Sequence, residues 1–342
     1  MELAKLERTF IIAEIGINHN GSKENILKMI DVAADAGANA VKLQVMTGYD
    51  LVSPELEFEY KQLNGEKIKT KLADLFYEMR VKKEWLEEIY NHAKKRNIIC
   101  LATPFSKETI DILETVDNPI YKISSGDITH TPLIEYAAKT DKPIIISTGK
   151  SSLSDIDRAV QAAQMCGNDN IALLHCVSVY PTPIEELNLN LINSLSQTFS
   201  VPVGFSDHSE GFFTSATAVA MGAKIVEKHF TLDKNMEGPD HWFSLNPEEL
   251  RQLVAHIRAV EHMAGTSRKA IYNNELKVNE RASRSIVANK DLKKGHVLTL
   301  ADFDYLRPGT GLRPYQSSEL IGKKIKKDIN KKNVITLSDI EW

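Results

Sequence analysis

The sequence predicts an α/β protein, a (βα)8 TIM barrel followed by a small, mainly β domain. Strand-like apolar runs alternate with helix-like segments from residue 9 to about residue 265. Eight such strand–helix units are the number that closes a barrel. Residues 282–342 differ in composition, with many lysines and only short apolar pieces, which indicates a separate domain.

The predicted strands are apolar and rich in β-branched residues, as strands buried on both faces of a parallel sheet are. They cover residues 9–16, 39–45, 97–102, 119–124, 143–147, 170–176, 201–205 and 224–229. Helical spacing of apolar residues is found over 24–36, 82–96, 106–115, 131–140, 152–166, 185–198, 212–221 and 247–264. Residues 46–81 are polar and interrupt this rhythm, so we expect a long functional loop there rather than a barrel helix.

A doubly wound sheet is the alternative fold, but it normally has fewer strands and a glycine-rich first turn. Neither GxGxxG nor GxxxxGK[ST] occurs in the sequence. We therefore predict a barrel over 1–265, a polar linker over 266–281 and the small domain over 282–342. A domain of this size has a marginal core, so docking onto the barrel or onto a second subunit would help to stabilise it.

The composition is that of a soluble globular protein, with 342 residues, 42% hydrophobic, 26% charged and a net charge of −4. The absence of a long basic run argues against a nucleic-acid partner. Cys100, Cys166 and Cys176 are widely spaced without a CxxC pair, which is typical of free thiols in a reducing compartment. The sequence shows neither a signal segment nor an apolar run of about 20 residues, so we expect a cytoplasmic protein without a membrane partner.

Polar side chains gather at the carboxyl ends of the predicted strands, where (βα)8 barrels carry their active sites. Lysines, hydroxyls and an amide at these ends suit a phosphorylated ligand. Two histidines at the ends of adjacent strands suit a divalent metal. In chain order the candidates are Glu14, Lys42, Gln44, Thr103, Lys122, Ser125, Asp127, Ser147, Ser178, Tyr180, Ser206, His208, His229 and Asp240.

Each candidate also has a plainer interpretation. Lys42 alone is more often a surface or ion-pair residue, and His175 within an apolar strand is more often a hydrogen-bonded core histidine. In the plainer interpretation of Asp207, this residue only holds His208 in place and does not itself bind the metal. The prediction of a site rests on the convergence of eight strand ends on one chemistry, phosphate together with metal, which suggests carbon–carbon or phosphoryl chemistry.

Several runs of this sequence resemble those of a known family, the sialic acid (N-acetylneuraminate) synthases. The matching runs in the barrel are AEIGINHNG (13–21), VKLQ (41–44), TPFS (103–106), YKISSGD (121–127), STG (147–149), GFSDHS (204–209), EKHFTLDK (227–234) and GPDH (238–241). The runs DLKKG (291–295), LRPGTGL (306–312) and ELIGKK (319–324) resemble the antifreeze-like, or SAF, domain of that family. The resemblance covers nearly the whole chain.

The resemblance implies a role for each matching position. It assigns the metal, Mn²⁺ or Mg²⁺, to His208 and His229, and acid–base roles to Glu14 and Asp127. The positions that contact phosphoenolpyruvate fall on Lys42, Gln44, Thr103, Lys122, Ser125, Ser147 and Ser206, with Lys42 and Lys122 stabilising the departing phosphate. Tyr180 and Asp240 match positions that hold the sugar, and Ser178 lies at a position that varies within the family. Arg307 matches an arginine that reaches the partner's barrel, which implies a domain-swapped homodimer.

The implied reaction condenses phosphoenolpyruvate with N-acetylmannosamine to give N-acetylneuraminate and phosphate, with the metal polarising the aldehyde. A legionaminate synthase, or less readily a pseudaminate synthase, that uses a 2,4-diacetamido-2,4,6-trideoxy hexose is the alternative. A lysine-type aldolase is the rival among enzymes, since a strand-end lysine also suits a Schiff base. A non-catalytic carbohydrate-binding protein is the rival from another class.

Overall fold

The computed structural model describes residues 1–47, 49, 51–61 and 65–342. The strands of the first part, in chain order, are β1 (Phe10–Gly16), β2 (Ala40–Val45), β3 (Glu57–Lys61), β4 (Lys67–Lys71), β5 (Ile99–Pro104), β6 (Tyr121–Ile123), β7 (Ile144–Ser147), β8 (Ile171–Cys176), β9 (Val203–Asp207) and β10 (Ile225–His229). Within the described residues, eight of these strands run parallel and close into a barrel, in the order β1-β10-β9-β8-β7-β6-β5-β2.

Helices connect the barrel strands and cover them from outside. They are α1 (Lys23–Ala36), α2 (Leu72–Glu78), α3 (Lys83–Lys95), α4 (Lys107–Glu114), α5 (Thr131–Ala138), α6 (Leu153–Gln164), α7 (Leu191–Phe199), α8 (Phe213–Ala220) and α9 (Pro247–Ala264). The predicted fold class, a (βα)8 barrel, is thereby confirmed. No helix in the described part of the chain is both long and apolar enough to cross a bilayer.

The inside of the barrel has an apolar floor and a polar top. The floor is a buried cluster formed by Leu3, Phe10, Ile12, Ala40, Leu101, Ile120, Ile145, Ala172, Leu174 and Ile225. Because side chains alternate along a strand, the inward position two residues further on lies one layer higher. In that layer, Lys42 follows Ala40 and Thr103 follows Leu101, and both are buried. The larger apolar core lies between the strands and the surrounding helices.

The interruption predicted over 46–81 contains regular structure of its own. Strands β3 and β4 pair as an antiparallel hairpin, and α2 follows directly. We expected an irregular loop because the hairpin strands are dominated by charged residues, which obscure the alternation of polar and apolar positions. The predicted position of the segment, an insertion after the second barrel strand, agrees with the structure.

The chain divides into two compact units, Met1–Gly265 and Thr266–Trp342. The second unit contains α10 (Asn273–Ala282), β11 (Ser285–Ala288), β12 (Phe303–Leu306), α11 (Ser317–Leu320), β13 (Lys324–Ile325) and β14 (Ile340–Glu341). Helix α10 occupies most of the stretch for which the sequence predicted a linker. Among the described side chains of this helix none is buried in the core, so hydrophobic periodicity did not mark it, and its Asn, Glu and Arg residues are compatible with a solvated helix.

The second unit contains an internal repeat that the sequence analysis missed. Residues 290–305 and 327–342 align without a gap, and the third residues of the two copies, Leu292 and Ile329, pair with each other. Leu292 N donates to Ile329 O (2.8 Å), and Ile329 N donates to Leu292 O (2.9 Å). In both copies a threonine precedes a 3₁₀ turn, and its backbone and hydroxyl donate to an aspartate three residues on. The paired residues are Thr299 with Asp302 and Thr336 with Asp339.

Each of these aspartates is buried and also binds a lysine from its own copy. Lys290 lies 2.8 Å from Asp302, and Lys327 lies 2.7 Å from Asp339. Burial alone would raise the pKa of Asp302, but hydrogen bonds from Lys290, His296 and Thr299 outweigh it and hold the pKa below its ordinary value. The charged form of Asp302 is therefore favoured in the folded unit.

A lowered folded-state pKa contributes stability that is present above the unfolded value, about 3.9 for aspartate, and is lost as the pH falls through the folded value. We expect Asp302→Asn to destabilise the second unit by about 2 kcal/mol near neutral pH, because a buried acceptor of several charged hydrogen bonds is lost. Hydrogen exchange of residues 290–306 in the full chain checks this. The exposed Asp304→Asn is the control, and equal protection in the two variants would contradict the prediction.

Candidate active site

The polar layer at the top of the barrel contains two lysines and two glutamates. Lys42 Nζ lies 3.1 Å from Glu14 Oε1 and 3.6 Å from Glu227 Oε2, and donates to Thr103 Oγ1 at 3.1 Å. Lys122 Nζ lies 3.8 Å from Glu227 Oε1. Each of these side chains is at most 5% exposed. Because burying an unpaired charge is costly, the two carboxylates balance the two ammonium groups.

Hydroxyl groups complete this layer on the neighbouring strands. Lys122 Nζ donates to Ser147 Oγ at 2.6 Å, and Ser206 Oγ donates to Glu227 Oε1 at 3.0 Å. Gln44 Nε2 donates to Glu14 Oε1 at 3.2 Å. The structure thus brings together six of the seven positions that were predicted to contact a phosphorylated ligand; Ser125 is not part of this layer.

Glu227 is the residue of this layer that the candidate set omitted. It lies between Lys42 and Lys122 and is 5% exposed. Glu227 and His229 are two residues apart on β10, so both point into the barrel, while Lys228 points outward. The inward orientation of Glu227 follows from the sequence alone. Its role does not, because its ion-pair partners Lys42 and Lys122 lie on strands that are far away in the chain.

The two carboxylates differ in protonation. Burial raises the pKa of Glu14 to about 7, against the lowering influence of Lys42. Burial would also raise the pKa of Glu227, but Lys122 and Lys42 outweigh it and hold that pKa at about 2. The layer therefore contains one carboxylate that stays ionised and one that can carry a proton. Glu14 Oε2 is buried without a hydrogen-bond partner in the described part of the chain.

His208 and His229 face each other above this layer, with ring centroids 5.6 Å apart. His208 Nδ1 lies 2.9 Å from the carbonyl oxygen of Val177, to which it donates. Burial alone would lower the pKa of His208, but its contacts with Cys176 and with the Val177 carbonyl outweigh burial and raise that pKa. Burial, helped by His208 and Lys42, holds the pKa of His229 well below its ordinary value. Its imidazole is therefore neutral, as a metal ligand must be.

The space between these groups fits a divalent cation. His229 Nδ1 is buried and has no hydrogen-bond partner among the described residues, and Asp240 Oδ2 lies 3.8 Å away. A Cβ on Gly16 would lie 3.3 Å from Glu14 Oε1 and 3.6 Å from His229 Nδ1, so the glycine leaves this space open. No group of three or more His, Cys, Asp or Glu side chains is arranged as a ligand set within the described residues. Two imidazoles with open positions remain as the donor set, and imidazole nitrogens are ligands for divalent transition metals.

Behind the histidines, a buried ion pair joins β9 to β10. Lys228 Nζ lies 3.2 Å from Asp207 Oδ1 and also donates to Ser209 O. Asp207 accepts further hydrogen bonds from hydroxyls of the following loop and helix, namely Ser209 (2.6 Å), Thr214 (2.7 Å) and Ser215 (2.5 Å). Asp207 was expected to orient His208 directly, but its side chain is engaged on the opposite face of β9, where it fixes the segment that carries His208.

Ser125 and Ser178, two further predicted positions, approach each other at Gly149, and Asp127 lies on the loop that also carries Ser125. Ser125 Oγ accepts from Gly149 N at 3.0 Å. A Cβ on Gly149 would collide with Ser178 Oγ and lie 2.9 Å from Ser125 Oγ, so glycine is needed for their approach. Asp127 lies on the loop after β6, where its Oδ2 accepts from Ser124 Oγ at 2.5 Å. The structure gives no contact of Asp127 with the buried charged layer among the described residues.

A cavity of about 580 Å³ lies over the barrel mouth. Gln44, Ser178, Tyr180, His229 and Asp240 line it from the barrel, and the ring of Tyr180 packs on His208 with centroids 4.1 Å apart. Its outer wall was not predicted from the sequence. That wall contains Phe58 and Tyr60 from β3, Phe76 from α2, and Trp242 and Phe243 after β10.

Arg307 and His175 are the remaining residues that the sequence singled out. Arg307 belongs to the second unit, where it follows β12 and is exposed. His175, for which a core role was favoured, is buried on the outer face of β8, and its Nε2 lies 2.5 Å from the carbonyl oxygen of Leu187.

The fold and the site define a (βα)8-barrel protein with a buried lysine–glutamate layer and two histidines at its mouth. Family models match on both units, the NeuB family over residues 29–269 and the SAF domain over residues 283–341. The chain belongs to the NeuB family.

Named relatives match over almost their full length. The N,N'-diacetyllegionaminic acid synthase of Campylobacter jejuni is 38% identical, over 96% of this chain and 99% of the relative. The N-acetylneuraminate-9-phosphate synthase of Homo sapiens is 33% identical, over 92% of this chain and 88% of the relative. The solved N-acetylneuraminic acid synthetase of Leptospira borgpetersenii is 33% identical with a TM-score of 0.72, covering 80% of this chain and 90% of that one.

The Asp207–Lys228 pair predicts a specific pattern of stability changes. Asp207→Asn should cost about 3–5 kcal/mol of unfolding free energy, because Lys228 is left as an uncompensated buried charge. The double variant Asp207→Asn/Lys228→Met should recover a large part of that loss. Chemical denaturation of the single and double variants forms a double-mutant cycle that checks this. Additive losses in the cycle would contradict the inferred coupling.

Proposed function

We propose that this protein condenses phosphoenolpyruvate with an open-chain N-acylated amino sugar to give a nine-carbon keto acid and phosphate. N-acetylmannosamine, which gives N-acetylneuraminate, and a 2,4-diacetamido-2,4,6-trideoxy hexose, which gives legionaminate, are the two candidate sugars. The names of the relatives support this class of product. The observation that carries the proposal is the pair of buried ammonium groups, Lys42 and Lys122, which share Glu227 in one polar layer inside the barrel.

The lysines and hydroxyls suit the phosphate of phosphoenolpyruvate. Each ammonium group has three donors, so Lys42 and Lys122 can keep their bonds to glutamate and still donate to phosphate oxygens. Ser147 and Ser206 add neutral donors next to them. As the carbon–oxygen bond to phosphate breaks, negative charge grows on the leaving group, and these fixed donors stabilise it in a site away from bulk water.

The reaction balances with one water molecule. The methylene carbon of phosphoenolpyruvate forms a bond to the aldehyde carbon, and the aldehyde oxygen takes up a proton. Water adds at the carbon that bears the phosphate and gives up one proton, which balances the proton taken up by the aldehyde oxygen. The carbon–oxygen bond to phosphate then breaks, the new hydroxyl becomes the keto carbonyl, and its proton leaves with hydrogen phosphate. We assign these proton transfers to Glu14, because its unpartnered Oε2 is buried beside Lys42 and near the histidines. Asp127 is the alternative carboxylate, and its hydrogen bond to Ser124 keeps it available at the loop after β6.

A divalent cation held by His208 and His229 would supply Lewis-acid polarisation of the sugar's carbonyl oxygen. Tyr180 and Asp240 line the cavity beside the histidines and are suited to orient the sugar hydroxyls. Asp240 is partly buried, and burial raises its pKa to about 6, against the lowering influence of His208. We place Mn²⁺ before Mg²⁺ because a pair of imidazoles favours the softer ion.

A lysine-type aldolase is the second candidate, since one observation favours it. Burial lowers the pKa of Lys122, although Glu227 opposes this, and a lowered pKa is typical of Schiff-base lysines. Against this rival, Lys122 is engaged by Ser147, Glu227 and a backbone carbonyl, and would have to leave all three to attack a substrate.

The first test measures phosphate release from phosphoenolpyruvate with Mn²⁺, offering N-acetylmannosamine and 2,4-diacetamido-2,4,6-trideoxymannose in parallel. We expect release that requires a sugar, is abolished by chelation and returns with Mn²⁺. His229→Ala should lose activity by a factor of about 10³ or more, because the cation loses one of two imidazole ligands. Borohydride with pyruvate should leave the chain unmodified. Covalent trapping on Lys122 would instead establish the aldolase.

We also propose that the protein is a domain-swapped homodimer in which Arg307 completes the site of the partner subunit. The resemblance of LRPGTGL (306–312) to the family's SAF domain supports this, as does the exposed position of Arg307 in its own unit. In a symmetric dimer each barrel would receive one arginine from the other chain.

Mixing two inactive variants tests the swap. His229→Ala lacks a metal ligand and Arg307→Ala lacks the contributed arginine. If the arginine acts in the partner's site, each mixed dimer contains one intact site, so random exchange should restore about a quarter of the wild-type sites. Mixing His229→Ala with Lys42→Met, both in the barrel, is the matched control and should restore nothing. No recovery with Arg307→Ala, when exchange is verified, would contradict the swap.

A further inference from the structure

The hairpin β3–β4 has a charged outer face. Glu57 pairs with Lys69 at 2.6 Å and Glu59 pairs with Lys67 at 2.7 Å, and all four side chains are exposed. These positions are the odd-numbered residues of both strands, which share one face because side chains alternate. Such cross-strand pairs keep this face in solvent.

The opposite face of the same hairpin is apolar and only half-buried. Phe58 and Tyr60 lie on it with their rings stacked at a centroid distance of 5.9 Å, and Ile68 stands opposite Tyr60 in the strand register. A two-stranded hairpin is at best marginally stable alone, so an apolar face of this kind is more stable when something covers it. A ligand that packs against Phe58 and Tyr60 would therefore bury this face further and stabilise the hairpin.

This apolar face looks into the cavity over the barrel mouth. Phe58 and Tyr60, joined by Phe76 from α2, line one wall, while Gln44 and His229 line the wall formed by the barrel. The lining of the cavity therefore combines polar groups of the barrel with aromatic side chains of the hairpin and α2. A substrate that spans it must present different chemistry to the two walls.

We propose that Phe58, Tyr60 and Phe76 are specificity-determining residues that contact the end of the amino sugar remote from its aldehyde. They select a sugar whose groups at that end are acyl methyls or deoxy carbons in place of hydroxyls. Apolar groups are stabilised by burial against the rings, whereas a hydroxyl there would lose its hydrogen bonds to water. This inference rests on the proposed function and names the sugar class that the same site takes.

The two candidate sugars differ in the property that the aromatic wall would sense. N-acetylmannosamine has hydroxyls on its fourth and sixth carbons, whereas 2,4-diacetamido-2,4,6-trideoxymannose has an acetamido group and a methyl carbon there. We therefore expect the wild type to prefer the trideoxy sugar in kcat/KM. One or two apolar groups in such a pocket are worth about 10- to 200-fold.

The experiment measures kcat/KM for both sugars, and KM for phosphoenolpyruvate, in the wild type and in hairpin variants. Phe58→Ala should lower the preference for the trideoxy sugar about 10-fold while the KM for phosphoenolpyruvate stays within about 2-fold. Phe58→Leu keeps an apolar side chain and should retain most of the preference. Lys69→Ala on the outer face is the matched control and should keep the wild-type ratio.

The outcomes separate this inference from the proposed function. A wild type that prefers N-acetylmannosamine, or a Phe58→Ala variant that keeps the wild-type ratio, overturns the inference and leaves the proposed function standing. Absence of phosphate release by the wild type with either sugar overturns the proposed function and the inference with it. An unchanged KM for phosphoenolpyruvate reports that a hairpin variant is folded.

Discussion

The charge balance inside the barrel is the constraint on which the site depends. Burying two unpaired ammonium groups inside the barrel would destabilise the fold by several kcal/mol for each group. Glu227 contacts Lys42 and Lys122 together, and Glu14 contacts Lys42, so the layer is close to neutral before any ligand enters. The same pairing fixes the two lysines in space. A phosphorylated ligand then meets donors whose positions were set during folding, which is the condition for electrostatic preorganisation.

The alternation of side chains lets two adjacent strands carry separate charged networks on their two faces. On the inner face, Ser206 and Glu227 join the layer of lysines. On the outer face, Asp207 and Lys228 form a buried pair between the strands and the helices. His229 continues the inner face at the end of β10, where it pairs with Glu14 of β1, and the preceding residue Lys228 pairs with Asp207 of β9. The Asp207–Lys228 network therefore contributes to the chemistry only by fixing the segments that carry His208 and His229. Substitutions in this network should change the stability of the fold, whereas substitutions on the inner face should change substrate binding.

The sequence was sufficient for those features that depend on local periodicity. Runs of β-branched residues predicted the barrel strands, and strand-end polarity predicted most of the inner layer, including Lys42 and Lys122. Glu227 was missed as a site residue because its importance lies in ion pairs with residues far away in the chain. The hairpin was missed because cross-strand charge pairs hide its alternation. The repeat in the second unit is readable from the sequence alone, because its two copies share the spacing of their apolar residues and the Thr–Asp pair.

The contrast between the barrel and the hairpin suggests how reactivity and selectivity are divided. The reacting groups lie on strands held by a closed sheet with two apolar cores, so their geometry is insensitive to changes in loops. The aromatic wall lies on a two-stranded hairpin whose inner face packs only partly. Substitutions such as those at Phe58 or Tyr60 can therefore alter the ligand-facing surface at little cost to the folding of the barrel. A new sugar preference can arise in this wall while the phosphate-binding layer remains as it is.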